Sequence, residues 1–251
     1  MPDPSTRIEA DDTSMGGVAP ARLSVRRVVI ILSLTLAAIA ALLPLDGAVL
    51  RFTARFQPGQ DLALGGDLRR ELLFVQQWGD GVCIFLVLTG AYLLDPLRRR
   101  RLWDALGAVA VTAIAYQSLK ILVGRPRPKF DDPLRFFASI DPYPLAIDGE
   151  PVTRYSWEFW RGISSDLWSM PSSHTAAAMC LSVILARFYP RLTRLVIPLA
   201  FVVGACRVIF AAHYPTDVIA GLCVGYLATS LALDRRWGTR LAARLGLLKP
   251  A

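Results

Sequence analysis

Long stretches with little charge constrain the fold of this chain more than any other feature. Six of them span residues 28–50, 72–94, 102–123, 172–188, 195–212 and 216–233, and 54% of all residues are hydrophobic. A helix crosses the ~30 Å hydrocarbon core of a bilayer with ~20 apolar residues. The pattern therefore predicts an all-α, polytopic membrane protein with about six transmembrane helices. The second, fourth and fifth stretches are long enough only if their polar edges lie in the membrane interface.

Basic residues cluster at alternate ends of these stretches and predict the orientation. Lys and Arg number 28 against 20 Asp and Glu, which gives a net charge of +8. Because positive residues near span ends stay in the cytoplasm, six spans would leave both termini there. This placement favours contact with anionic membrane lipids over binding of nucleic acid. Fifteen basic residues form the clusters: Arg22, Arg26, Arg27, Arg98, Arg99, Arg100, Arg101, Arg187, Arg191, Arg194, Arg235, Arg236, Arg240, Arg244 and Lys249.

The chain divides into two tails and one membrane domain. Residues 1–24 are polar and mixed in charge, which predicts a disordered cytoplasmic tail. Residues 25–235 form the predicted six-span domain, with an outer loop at 124–171, and residues 236–251 form a basic cytoplasmic tail. In the loop, Trp157, Trp160 and Arg161 have helical spacing, which predicts an interfacial helix, a lid over a headgroup site, or both.

Polar residues collect at the stretch ends that this topology turns outward. Taken singly, most have a plain structural explanation, such as a snorkelling lysine at Lys120 or a helix cap at Ser172. Arg207 is harder to explain in that way, because a cation within an apolar span costs ~2.5 kcal/mol or more unless it faces a polar cavity. The set comes from four helix ends and comprises Lys120, Arg125, Arg127, Ser172, Ser173, His174, Arg207, His213 and Asp217.

Together these residues suit a phosphoryl group. Arginine gives planar, bidentate donors to phosphate oxygens, lysine adds compact charge, and the helix N-terminus at Ser172 presents free backbone N–H groups. His174 and His213 supply a nucleophile and a proton donor. Asp217 follows His213 by four residues and can hold its second ring nitrogen. The sequence has no His, Asp, Glu or Cys cluster with metal-ligand spacing, so we expect neither a metal nor another cofactor.

Three motifs carry a resemblance to a known family. The sequence reads "KILVGRPRP" from Lys120, "PSSH" from Pro171 and "CRVIFAAHYPTD" from Cys206. These resemble the pattern Lys-x6-Arg-Pro, Pro-Ser-Gly-His and Ser-Arg-x5-His-x3-Asp of the type 2 phosphatidic acid phosphatase (PAP2) superfamily. Nine of the eleven fixed positions match, and the resemblance covers roughly residues 102–233. It implies the helical bundle core that this superfamily shares with the vanadium haloperoxidases.

The resemblance also implies a role for each matching residue. His213 would attack phosphorus and form a phosphohistidine, with Asp217 orienting it, and His174 would protonate the leaving oxygen and later help water to attack. The phosphate oxygens would be bound by Lys120, Arg127, Arg207, Ser172 and the backbone of Ser173. Two positions depart from the pattern, since Ser173 replaces a glycine and Cys206 a serine. Arg125 is outside the pattern and is a candidate for contact with the lipid headgroup.

The expected function is that of a metal-independent phosphatase in the inner membrane, with its active site on the periplasmic face. Its substrate would be a lipid phosphate or diphosphate, and undecaprenyl diphosphate, phosphatidylglycerol phosphate, phosphatidic acid and lipid A phosphates all fit the resemblance. Two alternatives stay open: an enzyme acting on a small soluble phosphate, and a non-catalytic protein that binds or transports lipid phosphates.

Overall fold

The structure, a computed structural model, describes residues 22–248 apart from 148–149, 159 and 161–164. Nearly all of the predicted N-terminal tail, and Arg161 of the predicted interfacial helix, lie outside the described residues. Most of the described chain is helical, which confirms the predicted all-α class. The helices are α1 (Val25–Leu42), α2 (Asp46–Ala54), α3 (Gly66–Val75), α4 (Gly81–Leu94), α5 (Leu102–Val123), α6 (Ser173–Phe188), α7 (Thr193–Ile209), α8 (Pro215–Asp234) and α9 (Trp237–Arg244).

Among the described residues, four helical segments are long and apolar enough to cross a membrane, namely Val25–Ala54, Pro96–Val123, Pro190–Ile209 and Pro215–Asp234. A fifth span exists only if Gly66–Gly79 and Gly81–Leu94 are counted together, and these two helices meet at a bend of 63°. The remaining apolar helix, α6, has 16 residues. The chain is thus a multi-pass membrane protein. Its described part holds four or five spans by length and composition, where the sequence predicted about six.

The bend interrupts the stretch 72–94, which the sequence predicted as one continuous span. Asp80 has an extended backbone, and its side chain accepts a hydrogen bond from the N–H of Val82 at 2.8 Å. This is the geometry of a helix N-cap, so a new helix begins at Gly81. The 3-10 turn Gln76–Gly79 before the bend contacts both α6 and α7.

The core is built around α6, which packs against α5, α7 and α8. Most of its side chains are buried, and its first half packs tightly against two glycines of α8. A Cβ at Gly225 would lie 2.4 Å from the backbone oxygen of Ala176, and one at Gly221 would lie 2.6 Å from that of Ser172. Small residues at a helix interface let the backbones approach closely. The two glycines therefore hold the start of α6 against the first half of α8.

The loop between α5 and α6 contains an element that the all-α prediction did not include. Strands β1 (Tyr143–Ile147) and β2 (Glu150–Arg154) pair in antiparallel fashion, with Leu145 opposite Val152. The hairpin packs on a small cluster of buried side chains that includes Phe137 and Leu167. The loop is therefore folded onto the end of the bundle. The predicted pair Trp157 and Trp160 are in ring contact, with centroids 5.5 Å apart.

Buried polar contacts also join elements at the opposite end of the bundle. Asp104, near the start of α5, accepts hydrogen bonds from the backbone N–H and the hydroxyl of Thr239 at 2.8 and 2.7 Å. These bonds attach α9, which lies within the predicted basic tail, to α5. Arg187 at the end of α6 pairs with Asp234 at the end of α8, at 3.0 Å.

Candidate active site

The predicted site residues come together at the end of the bundle where α5 ends and α6 and α8 begin. Lys120 lies in the last turn of α5, Arg207 in the last turn of α7, and Asp217 in the first turn of α8. Ser172 is the N-cap residue of α6, and its backbone N–H donates to the backbone oxygen of Asp217 at 2.9 Å. The first "PSSH" residues and the last motif are therefore in direct contact, although they are far apart in the sequence.

His213 and Asp217 form the buried centre of this site. Nδ1 of His213 lies 3.5 Å from Oδ2 of Asp217 and 3.5 Å from the hydroxyl of Ser169. The same carboxylate oxygen accepts hydrogen bonds from the Ser169 hydroxyl at 2.6 Å and from the N–H of Tyr214 at 3.0 Å. Within the part of the chain that the structure describes, Nε2 of His213 is buried and has no hydrogen-bond partner. The ring is thus held through Nδ1, and Nε2 is left for a ligand.

The electrostatic surroundings of His213 keep its ring neutral. Burial lowers the pKa of His213 to about 3, because the charged imidazolium would lose its solvation. The charge of Asp217 acts in the opposite direction, while Lys120 and Arg207 lower the pKa further. At neutral pH the imidazole therefore carries a free lone pair, as a nucleophile requires.

Arg125 is completely buried, so the predicted contact with a lipid headgroup is wrong. Its guanidinium donates to Oδ1 of Asp217 at 2.6 Å and to Oδ2 of Asp46 at 2.7 Å. It also lies over the ring of Tyr214, at 4.2 Å from the centroid. A buried cation needs compensating anions, and here two carboxylates supply them. Arg125 therefore supports Asp217 from the side opposite to His213.

Three further cations surround the two histidines. Nζ of Lys120 donates to the backbone oxygen of Trp168 at 2.6 Å, which uses one of its three N–H donors. Nε of Arg127 donates to the backbone oxygen of Ser165 at 2.5 Å. The third cation is Arg207. The positive charges of all three act on the ring of His174. The described residues contain no group of three or more His, Cys, Asp or Glu side chains that could hold a metal ion.

Comparison with known proteins shows the family of this chain. A sequence model of the PAP2 superfamily matches residues 101–239, which is more than half of the chain. The chain belongs to the PAP2 superfamily. This confirms the resemblance carried by the three motifs, and it assigns the bundle α5–α8 and the loop between α5 and α6 to the shared PAP2 region.

Two solved structures are similar to this chain. The first is a transmembrane PAP2 type phosphatidylglycerolphosphate phosphatase from Bacillus subtilis, with 19% identity and a TM-score of 0.55 over 84% of this chain and 96% of that one. The second is LpxE from Aquifex aeolicus, with 17% identity and a TM-score of 0.49 over 76% of this chain and 95% of that one. No curated protein sequence matches the chain significantly.

The two departures from the PAP2 pattern leave the backbone of the site intact. Ser173, in place of glycine, is the first residue of α6 and has no positive φ, so its side chain causes no backbone strain. Its N–H belongs to the first turn of the helix, where backbone N–H groups have no partner within the helix. Cys206, in place of serine, is buried in α7 with 1% of its surface exposed.

His174 is half-buried and lines a cavity of about 240 Å³ together with Gly79, Asp80 and Tyr116. The cavity continues into an apolar groove of about 430 Å³ between α4 and α5, and both are lined by Gly81, Ile84 and Val109. His174 therefore lies at the end of an apolar path that runs along the membrane-spanning helices.

The sequence analysis missed three residues that support the PAP2 motifs. Asp46 holds Arg125, Gln76 accepts a hydrogen bond from Nη1 of Arg207 at 2.9 Å, and Ser169 donates to Asp217. Asp46 had a visible signal, because it is the one charged residue in the stretch 28–50. Gln76 is one of two adjacent glutamines near the start of the stretch 72–94, Ser169 lies in the loop before α6, and no local pattern distinguishes either residue.

Proposed function

We propose that this protein is an integral membrane phosphatase that removes phosphate from a lipid phosphate or diphosphate through a phosphohistidine intermediate. The observation that carries the proposal is the state of His213, whose Nδ1 faces Asp217 while Nε2 is buried without a partner among the described residues. A neutral imidazole beside Lys120 and Arg207 fits a negatively charged phosphoryl group. The catalytic unit is the membrane domain, residues 25–235.

In the first step, Nε2 of His213 attacks phosphorus. A P–N bond forms while the bond from phosphorus to the leaving oxygen breaks, and His174 gives its proton to that oxygen. The leaving group is a lipid alcohol from a monophosphate and a lipid monophosphate from a diphosphate. Asp217 stabilises the positive charge that develops on the ring of His213.

In the second step, water attacks the phosphohistidine. His174, now neutral, accepts a proton from the water, the P–N bond breaks and inorganic phosphate leaves. The phosphate oxygens are bound throughout by Lys120, Arg127 and Arg207, and also by the Ser172 side chain and the N–H of Ser173. Donors fixed before the reaction stabilise the charge of the transition state without having to reorganise.

The apolar groove between α4 and α5 supports a lipid substrate. It shares Gly81, Ile84 and Val109 with the cavity that His174 lines, and Phe85 and Leu88 line it further along, so it can accept a hydrocarbon chain whose phosphate lies at the site. Burial of each CH₂ group contributes about 0.8 kcal/mol. The fold shared with a phosphatidylglycerolphosphate phosphatase is consistent with this substrate class.

The distribution of charge supports an outward-facing site in the inner membrane. The basic cluster at Arg98–Arg101 precedes α5, and Arg235, Arg236 and Arg240 follow α8, at the ends opposite to Lys120 and Asp217. Since basic ends stay in the cytoplasm, the site faces the periplasm.

Phosphate release tests the chemistry. We expect the detergent-purified protein to release phosphate from at least one of a panel of lipid phosphates and diphosphates, in EDTA, and faster than from soluble phosphate esters. His213→Ala should abolish release. Turnover restricted to soluble esters would contradict the lipid substrate, and lipid binding without any turnover would support the non-catalytic alternative. Full activity in His213→Ala would overturn the mechanism.

Thiol labelling in intact cells tests the orientation. Ile140 in the outer loop and Leu241 in α9 are 78% and 58% exposed, so a cysteine at either position is accessible to reagents from its own side. We expect a membrane-impermeant maleimide to label Ile140→Cys and to spare Leu241→Cys until the cells are opened. The reverse pattern would contradict a periplasmic site.

A further inference from the structure

Asp46 connects the N-terminal span to the catalytic end of the bundle. It is the first residue of α2, lies outside the PAP2-matched region, and is completely buried. Its Oδ1 accepts a hydrogen bond from the N–H of Thr216 at 3.2 Å, and its Oδ2 accepts one from the hydroxyl of the same residue. Thr216 precedes Asp217 in the first turn of α8. The carboxylate of Asp46 therefore caps the helix that carries Asp217.

Arg125 links the two carboxylates. Nη1 donates to Asp217 and to the hydroxyl of Thr216, at 2.6 and 2.8 Å, while Nη2 donates to Asp46 and to the backbone oxygen of Pro133. Each carboxylate therefore receives one branch of the guanidinium fork. Because Nη1 occupies Oδ1 of Asp217, the other oxygen, Oδ2, is turned towards Nδ1 of His213.

Without the charge of Asp46, Arg125 no longer favours binding one carboxylate through Nη1 and the other through Nη2. A guanidinium prefers to bind a carboxylate through two parallel N–H···O bonds, and of the two described carboxylates that pair with Arg125 only Asp217 would remain charged. Bidentate binding requires both oxygens of Asp217, so the pull of Arg125 would compete with the hydrogen bonds from Ser169 and Tyr214 and draw Oδ2 away from His213. The nucleophile would lose the group that fixes its tautomer and supports its positive charge.

We propose that Asp46 is a positioning residue for His213, acting through Arg125 and Asp217. The inference rests on the proposed phosphatase function. It differs from a purely structural role in one respect: Asp46 affects the transfer of the phosphoryl group and leaves the binding of phosphate by Lys120, Arg127 and Arg207 unchanged.

A matched control lies at the opposite end of the helical bundle. Asp104 is also buried, and it accepts hydrogen bonds from both the N–H and the hydroxyl of Thr239, as Asp46 does from Thr216. Asp104→Asn therefore disturbs the same kind of helix-capping contact without any link to the site. Asp46→Asn and Asp104→Asn should be compared for kcat and for inhibition by inorganic phosphate, on whichever substrate the wild-type protein hydrolyses fastest.

We expect Asp46→Asn to lower kcat by roughly ten- to a hundredfold, since a misplacement of about 1 Å at a reacting group has effects of this size. The inhibition constant of phosphate should stay within about twofold of the wild-type value, because the cations that bind it are untouched. Asp104→Asn should keep both values. Equal losses in the two variants, or a parallel loss of phosphate inhibition in Asp46→Asn, would show a structural role and overturn the inference.

A double-mutant cycle tests the route through Asp217. In an Asp217→Asn background, Asp46→Asn should lower the residual kcat by less than about twofold, because the group through which it acts is already lost. If the two substitutions lowered kcat by factors that multiply in the double variant, the proposed route would be overturned. If Asp46→Asn does not fold, Thr216→Val provides the second variant, as it removes the hydroxyl shared by Asp46 and Arg125. It should lower kcat with unchanged phosphate inhibition, and an unchanged kcat would count against the inference.

The outcomes separate this inference from the function on which it rests. A wild-type protein that releases phosphate from no substrate contradicts the proposed function. An active wild-type protein whose Asp46→Asn variant keeps full kcat contradicts the positioning role alone.

Discussion

Gly79 is the position where adding a single methyl group should most directly disturb His174. It ends the 3-10 turn Gln76–Gly79, and a Cβ there would lie 2.2 Å from the backbone oxygen of His174 and 3.3 Å from the Cβ of Ala178. The obstructing atom is backbone, so rotating a side chain cannot relieve the clash. The turn and α6 must separate by about 1.2 Å to reach the 3.4 Å of an ordinary contact.

The size of this displacement sets the expected effect of Gly79→Ala. Overpacking of a well-packed contact costs about 1–3 kcal/mol of folding free energy. Because α6 is the buried centre of the bundle, the displacement is carried to His174, and a shift of about 1 Å at a catalytic group lowers the rate by about a hundredfold. We therefore expect a large fall in kcat together with a moderate loss of thermal stability.

Phosphate release and thermal unfolding in detergent measure both effects. Gly90→Ala is the matched control, because Gly90 lies in α4 and a Cβ there meets nothing within 4 Å. Alanine in a helix interior is favoured over glycine by about 1 kcal/mol, so this variant should keep full activity and equal or greater stability. If Gly79→Ala kept wild-type kcat and stability, the close contact between the turn and His174 would not position the general acid, and the reasoning would be refuted.

Two further changes probe the phosphate-binding groups and the nucleophile. Arg207→Lys keeps the charge but loses the planar fork, so kcat/KM in the phosphate-release assay should fall by roughly tenfold or more, and an unchanged value would argue against contact with phosphate. His213 has a folded-state pKa far below its unfolded value of about 6.5. Since only the unfolded state takes up this proton, acidification from pH 7 to pH 5 should cost the wild-type protein about 2 kcal/mol more stability than His213→Asn. Equal pH dependence of their unfolding free energies would contradict a buried neutral His213.

Four of the six predicted spans are found among the described residues, and these spans, like the meeting of the predicted site residues at one end of the bundle, could be predicted because the signals are local. A stretch without charge has to be long enough to cross the bilayer, and the clustering of arginines fixes which ends lie together. Once the ends of the spans were assigned, Lys120, His174 and His213 had to lie on one side. The bend at Asp80 was harder to foresee, because apolar residues continue on both sides of it and only the capping hydrogen bond ends the helix.

The role of Arg125 could not be predicted, because it depends on tertiary contacts. Arg125 and Arg127 are two residues apart in "GRPRP", and spacing alone does not tell which one faces the phosphate. The backbone of Arg125 forms a parallel β-bridge with Trp168, and its side chain lies inside the protein. There it pairs with Asp46, which belongs to a helix far away in the sequence. The hairpin β1–β2, in contrast, had a sequence signal: residues 148–149 are Asp-Gly, a dipeptide typical of tight hairpin turns.

The central claim is that the phosphoryl group is transferred to His213. His174→Ala should slow the attack of water on the intermediate, and an aryl phosphate such as nitrophenyl phosphate spares the first step because its leaving group needs no protonation. Brief reaction of this variant with such a substrate carrying radioactive phosphate, followed by denaturation at alkaline pH, should trap a phosphorylated protein. The label should be stable to alkali, labile to acid and located on the peptide that contains His213. Its absence in the His174→Ala, His213→Ala double variant would complete the result. A label on another residue, or hydrolysis by the wild-type protein without any trapped intermediate in His174→Ala, would contradict the account.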